Sequence, residues 1–324
     1  MSERVHVVGI GGTGTSALAV MLAQAGAAVS GVEESRTILA GELLDRFPEI
    51  KVYRGYSAGH LDGVDRVIHS VAFRPDNPEL AEARWRGIPV FTYPEALGRF
   101  LTGTAVCGVA GTHGKTTTTA MIAMAAEEAG LPVSYLVGAP LQSGRSNVRY
   151  TPGSPFVLEA DEYRGAFLEY AGRFAQLVIT NIDFDHPDYY PSQDAVEKAF
   201  SELLVHTPPG ARVFACGDSQ GVQAVARVHD RITTYGFGPH NAVRVELDEL
   251  SDSGSGFTVA GTSDDRVRLR VGLPGRHNVL NATAAGHPRA GLPGRRDRDR
   301  AGGLRGCAAP VRCAAEHASG RGGR

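Results

Sequence analysis

Ala105-Val106-Cys107-Gly108-Val109-Ala110-Gly111-Thr112-His113-Gly114-Lys115-Thr116-Thr117-Thr118-Thr119 is the stretch that decides the fold. A short apolar run enters a loop of small residues, and the loop opens into a helical pattern carrying Met121, Ile122 and Met124. Strand, loop and helix in this order make an anion site, because the first turn of a helix leaves backbone N–H groups without partners. The loop fits the phosphate-binding pattern G-x-x-x-x-G-K-[ST], except that Val109 holds the place of the first glycine and Gly111 supplies the flexibility instead. On this reading the backbone of Gly111, Thr112, His113, Gly114 and Thr117 cradles phosphates. Lys115 neutralises the β and γ oxygens, and Thr116 ligates Mg2+. Lys115 is one of only three lysines, against thirty arginines.

Downstream, Phe156-Val157-Leu158 reads as a buried strand ending in Glu159-Ala160-Asp161-Glu162. A carboxylate at the C-terminal end of a neighbouring parallel strand is where such a site needs a metal ligand. Strand alternation puts Glu159 and Asp161 on one face and turns Glu162 away, and spacing alone does not choose among the three. The strand Gln176–Thr180 leads to Asn181-Ile182-Asp183-Phe184-Asp185-His186, so His186 falls on the same edge as a second metal-ligand candidate, with Asp185 or Asp188 near it. A helix follows, with Ser192 as its cap. Residues 211–275 read as strands and turns. Gly275-Arg276-His277-Asn278-Val279-Leu280-Asn281 then opens a last helix, where His277, Asn278 and Asn281 either contact an adenine or serve as helix caps.

Upstream, Val5-His6-Val7-Val8 runs into Gly9-Ile10-Gly11-Gly12-Thr13-Gly14, then a helix to about Gly26 and a strand ending at Glu33. This is a Rossmann-like arrangement, with its turn shaped for a diphosphate and no requirement that the nucleotide be NAD. Alternating strands and helices fill the first hundred residues, including Arg66–Ser70. The expected organisation is two α/β domains. Residues 1–101 form a Rossmann-like parallel-sheet domain and residues 102–286 a central P-loop ATPase-type domain.

These motifs, five of them in order, resemble the Mur ligase family, the ATP-dependent amide ligases of peptidoglycan synthesis. The family's phosphate loop characteristically lacks the first glycine, which accounts for Val109. The resemblance implies UDP-sugar binding by Gly9, Gly11, Gly12, Thr13, Gly14 and Ser70 in the first domain. It implies ATP in the second, with Lys115 on the γ-phosphate, Thr116 and Glu159 on one Mg2+, His186 on another, and His277, Asn278 and Asn281 on the adenine side. Lys115 and His186 are the catalytic candidates. The implied reaction activates the lactyl carboxylate of UDP-N-acetylmuramate as an acyl phosphate, which the amine of L-alanine then attacks. Glu162-Tyr163-Arg164-Gly165-Ala166-Phe167 departs from the alanine-adding wording and leans toward the recycling ligase that attaches a tripeptide. A non-catalytic nucleotide-binding fragment is the alternative from another class.

The chain has 324 residues and a formal charge of −2. That charge is uneven: residues 287–324 hold nine arginines against three acids, a net +6, leaving −8 for the rest. This segment is expected to be a disordered Arg/Gly/Ala-rich tail from a shifted reading frame, in place of a third domain, leaving the chain inactive. It lacks the aromatic residues that would stack on bases, so no nucleic-acid partner is expected. No apolar run is long enough to cross a bilayer. No secretory signal or obligate protein partner is expected either. Cys107, Cys216, Cys307 and Cys313 form no paired motif, in keeping with a reduced, cytoplasmic protein.

Overall fold

The computed structural model describes residues 2–34, 38–73, 76–141, 145–227, 229, 231–261 and 266–286. The expected tail, with Cys307 and Cys313, lies outside them. The contacts divide the chain into two compact units, Met1–Thr102 with Ser146–Pro152, and Gly103–Arg145 with Gly153 onward.

The first unit is built on β1 (Arg4–Val8), β2 (Ala28–Val32), β3 (Lys51–Tyr53), β4 (Arg66–His69) and β5 (Val90–Thr92), in the order β3-β2-β1-β4-β5. Every pairing is parallel. Val5, Val7 and Val8 are buried in β1, as expected for a strand covered on both faces. The helices are α1 (Thr13–Gln24), α2 (Ile38–Leu44), α3 (Pro78–Trp85) and α4 (Tyr93–Phe100). Their starts follow local chemistry. Asn77 caps α3 through the N–H groups of Glu79 and Leu80, and Thr92 with Glu95 forms a reciprocal capping box on α4. Residues 146–152 join this unit although they lie far along the chain. Their short strand β8 (Val148–Arg149) packs against α1, and the Tyr150 ring meets Phe100 edge-on at 5.0 Å.

The second unit holds β6 (Val106–Ala110), β7 (Ser134–Leu136), β9 (Phe156–Glu159), β10 (Phe174–Ile179), β11 (Arg212–Cys216), β12 (Ile232–Gly236), β13 (Val243–Ser251), β14 (Gly254–Ala260) and β15 (Arg266–Val271). Their order is β15-β14-β13-β12-β11-β10-β6-β9-β7. From β7 to β13 neighbours are parallel; β13, β14 and β15 add an antiparallel edge. Within residues 211–275, read from the sequence as strands and turns, Gln220–Ala226 is a helix (α7) with Ser219 as its cap. The remaining helices are α5 (Lys115–Glu128), α6 (Gln193–His206) and α8 (Arg276–Gly286). One core joins Val109, Met121, Val157, Phe214, Tyr235, Phe257 and Val279, so α8 is packed onto the same body as α5. The C-terminal ends of β6, β9 and β10 therefore share an edge, the place where parallel α/β sheets hold ligands.

Candidate functional site

β6 ends at Ala110, and Gly111 follows with φ +133°; a Cβ there would lie 2.1 Å from Thr180 Oγ1, so the close approach to β10 requires glycine. Gly114, at φ +80°, is the N-cap of α5 and carries no side-chain capping bond, which leaves the first turn to an anion. The loop is pinned from β10. The His113 N–H donates to Asn181 Oδ1 at 2.9 Å, and Asn181 Nδ2 and the Thr180 hydroxyl donate to His113 O at 2.9 and 2.6 Å. The Asp183 N–H donates to Thr112 Oγ1 at 2.9 Å. These bonds fix the loop's curvature before any ligand arrives.

Two charged clusters face this loop. The Lys115 ammonium donates to Gly111 O at 2.7 Å, Thr112 O at 3.3 Å and Glu162 Oε2 at 2.7 Å. Beside it, the Thr116 hydroxyl donates to Glu159 Oε1 at 2.7 Å, and the Gly138 N–H holds Glu159 Oε2 at 2.5 Å. Burial pushes the Glu159 carboxyl above its ordinary range, against the pull of Thr116, the Gly138 N–H and Lys115. Burial also raises Glu162, against the Lys115 ammonium. A carboxylate left short of positive charge in this way gains from a nearby cation.

Glu162 is the residue that the strand alternation turned away. The reason is local: β9 stops at Glu159, and Glu162 is the N-cap of a 3₁₀ segment (Tyr163–Arg173) bent by left-handed backbone at Arg164 (φ 54°) and Gly165 (φ 69°). Period-two reasoning ends with the strand, and the next turn swings Glu162 into the site. His186 arrives from the β10 side with φ 55°, its Nε2 3.6 Å from Glu162 Oε1. A non-glycine residue held in this backbone region costs about 1–3 kcal/mol, strain that tends to collect at functional sites. Ligand atoms of Asp161, Glu162 and His186 lie within 4.8 Å of one another. Asp188 fixes the Tyr163 hydroxyl at 2.9 Å, and the Tyr163 ring lies 4.9 Å from the His186 ring. Glu162, one of the three acids that spacing left undecided, and Asn181, which had no assigned role, are thus both brought into the site.

The start of α8 closes one side. Asn278 and Asn281 are both 7% exposed, so each amide needs a partner. Asn278 Nδ2 donates to Pro274 O at 2.7 Å, and Asn281 Nδ2 approaches Asn278 Oδ1 at 3.4 Å. A Cβ on Gly114 would lie 2.7 Å from Asn281 Oδ1, which puts that amide beside the phosphate loop. His277 is exposed, with its ring folded back over Gly275.

In the first unit, β1 ends at the glycine-rich turn, and α1 starts at Thr13 with Gly12 as an N-cap free of side-chain bonds. Ser70 follows β4 on the same edge, its N–H donating to Val8 O at 3.3 Å. The Glu33 carboxylate accepts from the Gly11 N–H at 2.8 Å. The turn's amide is thus already presented to an oxygen anion, in the geometry a diphosphate oxygen would use. Gly14 faces the Tyr93 ring, and a Cβ there would lie 2.8 Å from its Cζ.

Residues 109–287 match the Mur ligase middle domain, and residues 4–104 match the catalytic domain of the Mur ligase family. The chain belongs to the Mur ligase family. Within it, the chain is 39% identical over 287 residues to UDP-N-acetylmuramate–L-alanine ligase of Arthrobacter sp. (strain FB24), an alignment covering 87% of this chain and 60% of that protein. With the enzyme of the same name from Acidothermus cellulolyticus it shares 40% identity, covering 87% and 59%. This Mur ligase chain spans about 60% of the length of these curated relatives. Among solved structures it is similar to UDP-N-acetylmuramate:L-alanyl-gamma-D-glutamyl-meso-diaminopimelate ligase from Neisseria meningitides, at a TM-score of 0.75 and 28% identity over 88% of this chain and 92% of that one. It is equally similar to UDP-N-acetylmuramate-alanine ligase from Thermotoga maritima, at 0.74 and 28%, over 87% and 63%. No helix among the described residues of this Mur ligase is long and apolar enough to cross a membrane.

Proposed function

We propose that the second unit binds Mg·ATP and the first unit UDP-N-acetylmuramate, as the two nucleotide-holding parts of a cytoplasmic ligase that joins L-alanine to the lactyl carboxylate. The observation that carries this reading is the Lys115 ammonium, held at 2.7 Å from Glu162 at the mouth of a loop whose helix N-terminus is open to an anion. Lys115 would leave Glu162 for the terminal phosphate, and the amides from Gly111 to Thr117 would hold the phosphate chain. Asn281, beside Gly114, would border the same phosphates, while His277 and Asn278 would line the nucleoside side.

The side chains suit Mg2+ at one position. Thr116 and Glu159 offer hard oxygen donors 2.7 Å apart, and the buried Glu159 carboxyl lacks enough positive charge of its own. A second divalent ion fits beside His186, with Glu162 and Asp161 as the nearest carboxylates. When bound, such ions neutralise the charge that gathers on a transferring phosphoryl group. The chain's own contribution is orientation: Lys115 steers the phosphate, and Asn181 and Thr180 keep the loop in shape. In the first unit Gly9, Gly11, Gly12, Thr13 and Gly14 would hold the diphosphate of the sugar nucleotide, with Ser70 at the neighbouring strand end.

Titration calorimetry with UDP-N-acetylmuramate and Mg·ATP tests the reading on this chain, and phosphate release in the presence of UDP-N-acetylmuramate tests it on a version extended to the length of the curated relatives. Stimulation by L-alanine exceeding that by the L-alanyl-γ-D-glutamyl-meso-diaminopimelate tripeptide supports it, and the reverse favours the recycling ligase. The sequence Glu162-Tyr163-Arg164-Gly165 is the observation on that second side. Binding of both nucleotides by the extended version with no phosphate release identifies a non-catalytic nucleotide-binding protein.

A further inference from the structure

A second convergence of ligand atoms lies in the first unit and uses none of the residues assigned above to the nucleotides or their cations. His6 sits on β1 with no exposure, and Glu79 lies in the first turn of α3 at 1% exposure. His60, in the 3₁₀ turn Ala58–Leu61, is 16% exposed. His6 Nε2 is 3.1 Å from Glu79 Oε2, His60 Nδ1 is 2.7 Å from Glu79 Oε1, and the three ligand atoms fall within 4.8 Å of one another. We propose that His6, His60 and Glu79 form a binding site for one divalent transition-metal ion, Zn2+ by donor chemistry, which clasps β1, the 3₁₀ turn and α3 together.

Three features favour this reading. The donor set of two imidazoles and one carboxylate is that of three-ligand zinc sites with a fourth position left open. Two donors each about 2.1 Å from a tetrahedral ion stand about 3.4 Å apart, so the 3.1 Å His6–Glu79 separation has to open by about 0.3 Å and the 2.7 Å His60–Glu79 separation by about 0.7 Å, the larger movement falling on the partly exposed His60. Each donor is also aimed by an outer partner. His6 Nδ1 meets Ser30 Oγ at 2.9 Å, the Ser57 N–H holds Glu79 Oε1 at 3.0 Å, and the Tyr53 ring stacks on His60 at 3.8 Å. Outer contacts of this kind fix tautomer and ring orientation in metal sites.

The proton balance closes without a further reactant. In the metal-free protein each imidazole donates one N–H to Glu79. On binding, each neutral ring turns the lone pair of that same nitrogen to the ion and carries its proton on the other nitrogen. For His6 that nitrogen is Nδ1, which then donates to Ser30 Oγ; for His60 it is Nε2, on the ring's other side. His60 also supplies the route from solvent.

The test is a titration of the chelator-treated full chain with Co2+, read by the visible bands of tetrahedral cobalt and their loss on adding Zn2+. A single equivalent is expected in the wild type and in His186→Ala, and none in His60→Ala. Ser30→Ala should weaken binding by about 10–100-fold. Absence of the bands in the wild type, their survival in His60→Ala, or their loss in His186→Ala would overturn the proposal. Should His60→Ala lose its fold by circular dichroism, X-ray absorption at the zinc edge of the wild type decides: two imidazole ligands uphold the site and fewer defeat it. All of these readouts are independent of ligase activity and of nucleotide binding in the second unit.

Discussion

Replacing Lys115 by Met and Glu162 by Gln should have unequal effects, and the inequality follows from burial. Lys115 Nζ and Glu162 Oε2 stand 2.7 Å apart, with the side chains 13% and 2% exposed. At an effective dielectric of about 20, the attraction between unit charges at that separation is about 6 kcal/mol. Withdrawing the carboxylate from water costs several kcal/mol in the other direction. Because the Glu162 carboxyl stays raised despite its partner, burial outweighs the attraction for this group. Glu162→Gln removes both opposing terms and keeps an amide oxygen for the ammonium, so its net change should stay within about 1 kcal/mol. Lys115→Met instead strands a buried carboxylate, at a cost of about 3–5 kcal/mol when that group is ionised.

The assay is differential scanning calorimetry, following the transition that ATP shifts, at about pH 8 and about pH 5. At roughly 2–4 °C per kcal/mol for a unit of this size, Lys115→Met should lower Tm by at least about 6 °C at the higher pH. Glu162→Gln should move it by no more than about 4 °C. The sign with pH follows from linkage. A carboxyl raised in the folded state favours folding when protonated, so the Lys115→Met deficit should shrink as pH falls through the raised value. Equal losses in the two variants, or a Lys115→Met deficit that ignores pH, would show that Glu162 is not a buried carboxylate dependent on Lys115.

Thr116→Val should weaken Mg·ATP binding at least about 10-fold while leaving Mg-free ATP nearly unchanged, since it removes an oxygen donor and no positive charge; calorimetric titration with and without Mg2+ checks this. Glu159 and Glu162 are both raised by burial, so in the absence of divalent ions Tm should fall as pH rises above the ordinary carboxylate range. Saturating Mg2+ should flatten that slope, and a melting series in Mg2+ and in chelator compares the two. Glu79 works in the opposite sense. Burial alone would raise it, but bonds from His6, the Ser57 N–H and His60 outweigh burial and hold it low. Its contribution should therefore be present above the ordinary carboxylate range and lost as pH falls through the depressed value, a loss that Glu79→Gln should abolish in an acid melting series. Gly111→Ala forces a Cβ to within 2.1 Å of Thr180 Oγ1 and should cost about 2 kcal/mol or more together with ATP binding, whereas Gly130→Ala, at φ +68° in open space, should cost only the backbone term of about 1–2 kcal/mol.

The phosphate loop was legible because strand, small-residue turn, Gly-Lys-Thr and apolar helix are all local, and locality is what sequence patterns record. The all-parallel first sheet was legible for the same reason, through its alternating strands and helices. Glu162 was not legible. Its direction depends on where β9 stops and on the left-handed backbone at Arg164 and Gly165, and no period marks that bend. Neither was the clamp of Asn181 on His113, a contact across 68 residues that exists only because β10 lies beside β6. The assignment of residues 146–152 to the first unit was likewise hidden, since chain order carries no record of a return. Buried Asn278 and Asn281 looked from the sequence like adenine readers or caps. In the structure Asn278 holds Pro274 and Asn281 sits beside Gly114, a distinction that rests on packing of α8 against α5.

The most direct measurement is a crystal structure of the chain with a non-hydrolysable ATP analogue and Mn2+. The terminal phosphate should lie against Lys115 Nζ, released from Glu162. Anomalous density should appear between Thr116 and Glu159 and beside His186. A loop that stays closed by the Lys115–Glu162 pair at saturating analogue, or a nucleotide bound with no cation at Thr116 and Glu159, would contradict this arrangement.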